Sequence, residues 1–228
     1  MVLAGFAGTE EQWTKFDPAW KEAIKPLEHL HMRELRFRKD RHRAMLERAG
    51  KIPQQVGLMA LAVSVDFADY ADLIKGTEDE YLYAGYIACL QPMIVNLLRG
   101  LPPGETVRVM FERQDVYSDL ADMAIKGLMQ IRYSEFFLPD GTSKLAGWGW
   151  VEKNETPRIE ASDYFAFSLL QQFRDAASLK ARLCSPVLPS DGEAYGVPID
   201  QDLARQIIIG SQVLRVARAN VEVQRNSG

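Results

Sequence analysis

Acids placed at the ends of apolar segments are the residues of this chain most able to do chemistry. Glu112 closes the run Val107-Arg108-Val109-Met110-Phe111-Glu112, whose β-branched and aromatic residues suit a buried strand. At the carboxyl edge of a sheet its carboxylate is placed as a metal ligand or general base, whereas as an ordinary strand end it reaches water. Asp66 stands similarly near the end of Leu58 to Phe67, but Asp69 and Asp72 follow at once and favour an acidic turn. Asp163 precedes the apolar Tyr164-Phe165-Ala166-Phe167 and reads as an acid in a helix's first turn, where the dipole favours negative charge. From Arg33 to Arg48, seven basic residues (Arg33, Arg36, Arg38, Lys39, Arg41, Arg43 and Arg48) face three acids. Such a segment is either a phosphate-facing surface or a solvated helix face with i,i+4 pairs.

Charge confines any nucleic-acid contact to that local patch. The formal net charge is -4 and the pI about 5.5, which excludes coating a polyanion by bulk charge. Hydrophobic residues make up 47% of the 228 residues and charged ones 25%, enough apolar material for a substantial core. No apolar run reaches the roughly 18 residues needed to cross a bilayer, and no signal-peptide pattern opens the chain, so a cytoplasmic location with no membrane partner is expected. Cys89 and Cys184 have no metal spacing and read as free core thiols.

The elements that must position these residues follow from pattern. Met1 to Gly8 is a short apolar strand. Thr9 to Gln12 fits a capping box and opens a helix carrying Trp13, Phe16 and Trp20 as core anchors, with Pro26 interrupting beyond it. Phe37 and Leu46 would turn the basic segment inward. Leu58 to Phe67 reads as a strand, and Thr77 to Glu80 as a second capping box. Tyr81 to Leu98 carries a helical apolar stripe that Pro92 can kink. Ser118 is placed to cap a helix to about Ile131, with Leu120, Met123, Ala124, Leu128 and Ile131 buried. Gly141 marks a turn before the strand Leu145 to Val151, and the stretch Pro157 to Phe167 leads into a helix through about Phe173. Residues 183–197 read as a loop, and Asp200 caps a last helix with the stripe Leu203, Ile207, Gly210 and Leu214. The tail from Val221 is polar.

Several of these segments resemble the family called domain of unknown function 3800, whose members are ribonuclease H-like. The strand VLAGFAG followed by Trp13, Phe16 and Trp20 is similar to the family's strand, then helix, with its W-x-x-F-x-x-x-W spacing. His31-Met32-Arg33-Glu34 resembles its histidine followed closely by an acid. Met110-Phe111-Glu112 and Ile159-Glu160-Ala161-Ser162-Asp163-Tyr164-Phe165-Ala166-Phe167 are similar to its strand-end glutamate and its Q-A-A-D-L-x-A-Y segment. Glu160 and Ser162 replace that segment's glutamine and second alanine.

The resemblance implies an α/β fold, a ribonuclease H-like mixed sheet flanked by helices over residues 1–182, with 183–228 packing on the body or on a second subunit. It implies Mg²⁺ or Mn²⁺ held by Glu112 and Asp163, with His31 and Glu34 beside them, in a nuclease acting on phosphodiesters. Arg33, Arg36, Arg38, Lys39, Arg41 and Arg43 would then face nucleic acid. The family's Asp-Glu-Ser-Gly strand, normally just ahead of the segment that starts here at Met1, has no counterpart in the sequence. That first central strand is expected to be missing or replaced, leaving an exposed sheet edge open to homo-oligomer formation. The alternative is a non-catalytic binding or assembly protein whose acids are structural and whose Leu203 to Leu214 helix makes the contact.

Overall fold

A computed structural model describes residues 1–35, 40–64, 78–114, 117–130, 134–152 and 155–175, with the side chains of Glu34 and of residues 78–84 also outside the description. Arg36, Phe37, Arg38, Lys39, Asp66, Asp69, Asp72, Thr77, Ile131 and Cys184 lie outside the described residues. So do the expected loop 183–197, the helix from Asp200 bearing Leu203 to Leu214, and the tail. Among the described residues the chain is mixed α/β, with five α-helices and two separate two-stranded sheets. It divides into two compact units, one built from residues 63–150 and the other from 2–62 with 151–175.

The second of these begins with β1 (Val2–Ala7) and α1 (Glu10–Ala23). The capping box forms as expected: Gln12 N–H donates to Thr9 Oγ1 at 3.3 Å, and Thr9 N–H donates to Gln12 Oε1 at 2.7 Å. Gln12 does a second task, since its Nε2 donates to the Gly57 carbonyl at 2.6 Å. Gly57 has φ of +78°, a conformation glycine adopts without strain, in the turn between α2 (Asp40–Gln55) and β2 (Met59–Ser64). One side chain thus closes the start of α1 and fastens the entry to β2. Gly8, just beyond β1, packs on Leu58, just ahead of β2, so the two strands run antiparallel.

The core of this unit is apolar and continuous. Phe16 and Trp20 stack at 5.4 Å and are fully buried with Leu46, Leu30 and Met32 against α5 (Pro157–Asp175). Each such side chain removed from water contributes about 1.5–3 kcal/mol. Phe6 of β1 stacks on Phe165 at 5.0 Å, which seats α5 on the strand. Arg48 donates to the carbonyls of Ala23 and Lys25 at 3.2 and 3.4 Å, closing the last turn of α1.

The first unit holds α3 (Glu78–Gly100), β3 (Val107–Glu112), α4 (Ser118–Gln130) and β4 (Leu145–Val151, its last residue counted with the other unit). Val107 N–H donates to Lys144 O at 2.8 Å, start against start, so β3 and β4 run parallel. The expected burial holds on one face of β3 only: Phe111 is buried and Val107 and Val109 are partly covered, while Arg108 and Met110, the latter 46% exposed, lie on the other face. Phe111 meets Trp150 at 5.1 Å. Pro92 lies inside α3 and Cys89 is buried on it, as expected of a core thiol. Ser118 is not a cap in the expected sense. It is the first helical residue, and its hydroxyl exchanges bonds with Gln114, accepting from N–H at 3.1 Å and donating to O at 2.9 Å.

Tyr86 on α3 stacks with Tyr117 at 4.8 Å, and its hydroxyl is pushed up to about 12, first by burial, then by Tyr117 and Cys89. The fold favours the neutral phenol, so this contribution is complete below the ordinary value of 10.0 and is lost as pH rises towards 12. Stability should therefore fall by about 1 kcal/mol between about pH 9 and pH 11, a loss that Tyr86→Phe should abolish in urea unfolding at those two values. In the other unit, Gln12→Glu keeps the cap acceptor but turns a carboxylate towards the Gly57 carbonyl. It should cost about 1–2 kcal/mol in the same measurement, against a few tenths for Thr9→Ser.

Candidate functional site

The candidate site grows from α5. Ile159, Glu160, Ala161, Tyr164, Phe165 and Ser168 form its buried face, at the i, i+3, i+4 spacing that puts side chains on one side of a helix. Tyr164 Oη donates to the Leu46 carbonyl at 3.2 Å, and Ser168 Oγ donates back to the Tyr164 carbonyl at 2.6 Å. At its first turn Arg158 grips Asp17 of α1 through a fork, Nε to Oδ1 at 3.2 Å and Nη2 to Oδ2 at 2.9 Å, with its guanidinium 5.0 Å from the Trp13 ring centre. The bond to Asp17 raises the Arg158 pKa above its ordinary value.

Against this helix runs segment 29–32, which the two acids of α5 hold in register. Glu160 is 5% exposed. Its Oε2 accepts from Trp20 Nε1 at 2.9 Å and from Leu30 N–H at 3.2 Å, while Oε1 lies 3.0 Å from His29 Nδ1. One turn on, Asp163 Oδ2 accepts from Met32 N–H at 3.4 Å and lies 3.2 Å from His31 Nδ1. Each imidazole Nδ1 thus lies within hydrogen-bonding distance of one acid of α5. His31 is extended, with φ -126° and ψ 114°. Two residues of such a chain advance roughly 6.5 Å and three helical residues roughly 4.5 Å, close enough for successive histidine–amide pairs to meet successive acids.

The two acids differ in what is left over. Both oxygens of Glu160 are engaged in the interior, and no buried side-chain polar atom among the described residues lacks a partner. Asp163 has a 32% exposed side chain, and both its bonds fall on Oδ2, leaving Oδ1 without a hydrogen bond among the described residues. The expectation of Asp163 in a first turn is corrected: α5 starts at Pro157, so Asp163 lies in its second turn, beyond the reach of the helix-end charge. Its place is set by His31 and Met32 instead.

Of the other expected site residues, Glu112 ends β3, half-buried, in the unit formed by residues 63–150, so it and Asp163 are each described in their own surroundings. His31 stands beside Asp163 as the resemblance implies. Glu34 ends a 3-10 turn, Met32–Glu34. Arg33 and Arg41 are exposed, Arg43 is half-buried and 3.6 Å from Asp40, and His42 between them is buried at 8%. The described part of the basic segment is therefore not one helix face: Leu35 is extended, His42 of α2 is buried, and Arg48 serves α1. Among the described residues no group of three or more His, Cys, Asp or Glu side chains is arranged to hold a metal ion, and no helix is long and apolar enough to cross a membrane. No family model, curated protein or solved structure matches the chain.

Glu160 is the residue that sequence pattern missed. Its signal was available: it stands one turn before Tyr164 and beside Ala161, on the stripe that runs through Phe165 and Ser168. Removing it leaves two interior donors unpaired, so Glu160→Ala should cost about 3–5 kcal/mol in urea unfolding. Asp163→Ala, on a partly exposed side chain, should cost about 1 kcal/mol.

Proposed function

We propose that this chain is a nuclease-like protein on a ribonuclease H-like scaffold, acting on nucleic-acid phosphodiesters with a divalent metal. The observation that carries the proposal is the half-engaged carboxylate of Asp163, held by His31 and Met32 through one oxygen and presenting the other, part-exposed, without a protein partner among the described residues. Such an acid fits a ligand to a hard cation, whereas the saturated Glu160 does not. Asp163 would hold Mg²⁺ or Mn²⁺. When bound, such a metal polarises a phosphoryl oxygen and activates water. His31 orients the Asp163 carboxylate, as outer partners of metal ligands commonly do. Arg33 and Arg41, exposed near this segment in sequence, are the described candidates for phosphate contact.

A second reading, a non-catalytic binding or assembly protein, is favoured by the use both acids already have. Every side-chain hydrogen bond of Glu160 and Asp163 among the described residues ties α5 to α1 or to segment 29–32. Calorimetric titration with Mg²⁺ and Mn²⁺ separates the two. The nuclease-like reading expects binding by the wild type that falls at least about tenfold, by 1.4 kcal/mol or more, in Asp163→Ala. Absence of binding in the folded wild type, or binding unchanged in that variant, would leave the assembly reading in its place.

A further inference from the structure

Glu160 and Asp163 hold alternate links of one short segment, and only one of them is saturated. We infer that Glu160 is a positioning residue for Asp163: by clamping His29 and Leu30 it sets the register in which His31 and Met32 reach the Asp163 carboxylate. The inference rests on the proposed role of Asp163 for its functional meaning, but on geometry alone for its content.

The coupling runs through the backbone. Leu30 N–H is committed to Glu160 and Met32 N–H to Asp163, and Leu30 and Met32 are each 1% exposed, sunk in the same core. Glu160 is also bonded to Trp20, itself fully buried on α1. The first clamp therefore ties three elements, α1, α5 and segment 29–32, at a point that cannot slide without stranding buried polar groups. The second clamp is weaker on its own account, with bonds of 3.2 and 3.4 Å on a partly exposed acid. A register slip of one residue at Leu30 would turn His31 away from α5 and free both Asp163 oxygens, because successive residues of an extended chain face opposite ways. What Glu160 determines is thus whether one oxygen of Asp163 is spent on His31 and Met32 or both are free.

Two substitutions separate positioning from bulk stability. Glu160→Gln keeps an oxygen to accept from Trp20 and Leu30, whereas Glu160→Leu fills similar volume and accepts nothing. The protein has three histidines, so each imidazole can be assigned in a nitrogen-15 spectrum of the full chain. The Gln variant should keep the wild-type His31 Nδ1 resonance and the slow amide exchange of Met32. The Leu variant should lose both, with Met32 exchange faster by at least about tenfold, while the amides of α1 stay protected. A merely stabilising role would lower the melting temperature without moving the His31 resonance, and a folded Leu variant with an unchanged His31 signal would overturn the inference. Should the Leu variant not fold, wild-type exchange decides: Leu30 and Met32 amides opening together support the coupling, and Met32 staying protected after Leu30 has exchanged overturns it. None of these readouts involves a metal. Failure to bind Mg²⁺ or Mn²⁺ would remove the proposed function and leave the coupling measurable.

Discussion

The carboxylate of Glu160 is the constraint on which the unit built from residues 2–62 and 151–175 depends. An acid taken into an apolar core loses hydration worth many kcal/mol, and it is tolerated only where donors converge on it. Here an indole, an imidazole and a backbone amide do so, coming from α1 and from the segment after it. Those partners are far from Glu160 in sequence, 131 and 140 residues away for the two side chains. An alternative packing of α5 that kept the hydrophobic contacts but shifted it by a turn would bury this charge unpaired. Phe16, Trp20, Tyr164 and Phe165 supply cohesion; Glu160 supplies the register.

Two acids three residues apart on the same helix thereby acquire different characters. Glu160 lies on the stripe that faces the core, and Asp163 sits at its margin, so one is sealed and saturated while the other keeps an oxygen towards solvent. Burial, not residue type, separates structural acid from candidate ligand. The same logic governs the basic segment. Arg48 is drawn to the orphan carbonyls at the end of α1, and His42 is taken into the interior, which divides a run of like charges among several tasks.

In the unit formed by residues 63–150, two parallel strands alone are too few to be stable, and helices must complete the structure. Trp148 does part of this by donating to Asp122 of α4 at 3.0 Å, and Lys144 closes α3 by donating to the Leu98 carbonyl at 3.2 Å. Both tryptophans of the Leu145–Val151 segment are half-buried covers of a small sheet. Glu112, at the end of the partner strand, shares its half-buried state.

Local signals were legible in the sequence where the physics is local. The Thr9–Gln12 capping box, β1, the apolar stripe of α4 in its main positions, the turn at Gly141 and the ends of β3 and β4 follow from periodicity and from hydrogen bonds that close within a few residues. The resemblance set His31 and Glu34 beside a site of Glu112 and Asp163 without pairing His31 with either acid; that His31 meets Asp163, at 3.2 Å, is a tertiary contact. Glu160's burial, the half-engagement of Asp163, the second bond of Gln12 to Gly57 and the diversion of Arg48 to α1 were decided by tertiary structure alone. Each depends on a donor or acceptor delivered from a distant segment, and hydrophobic spacing in one helix carries no information about which polar group the fold will set opposite it.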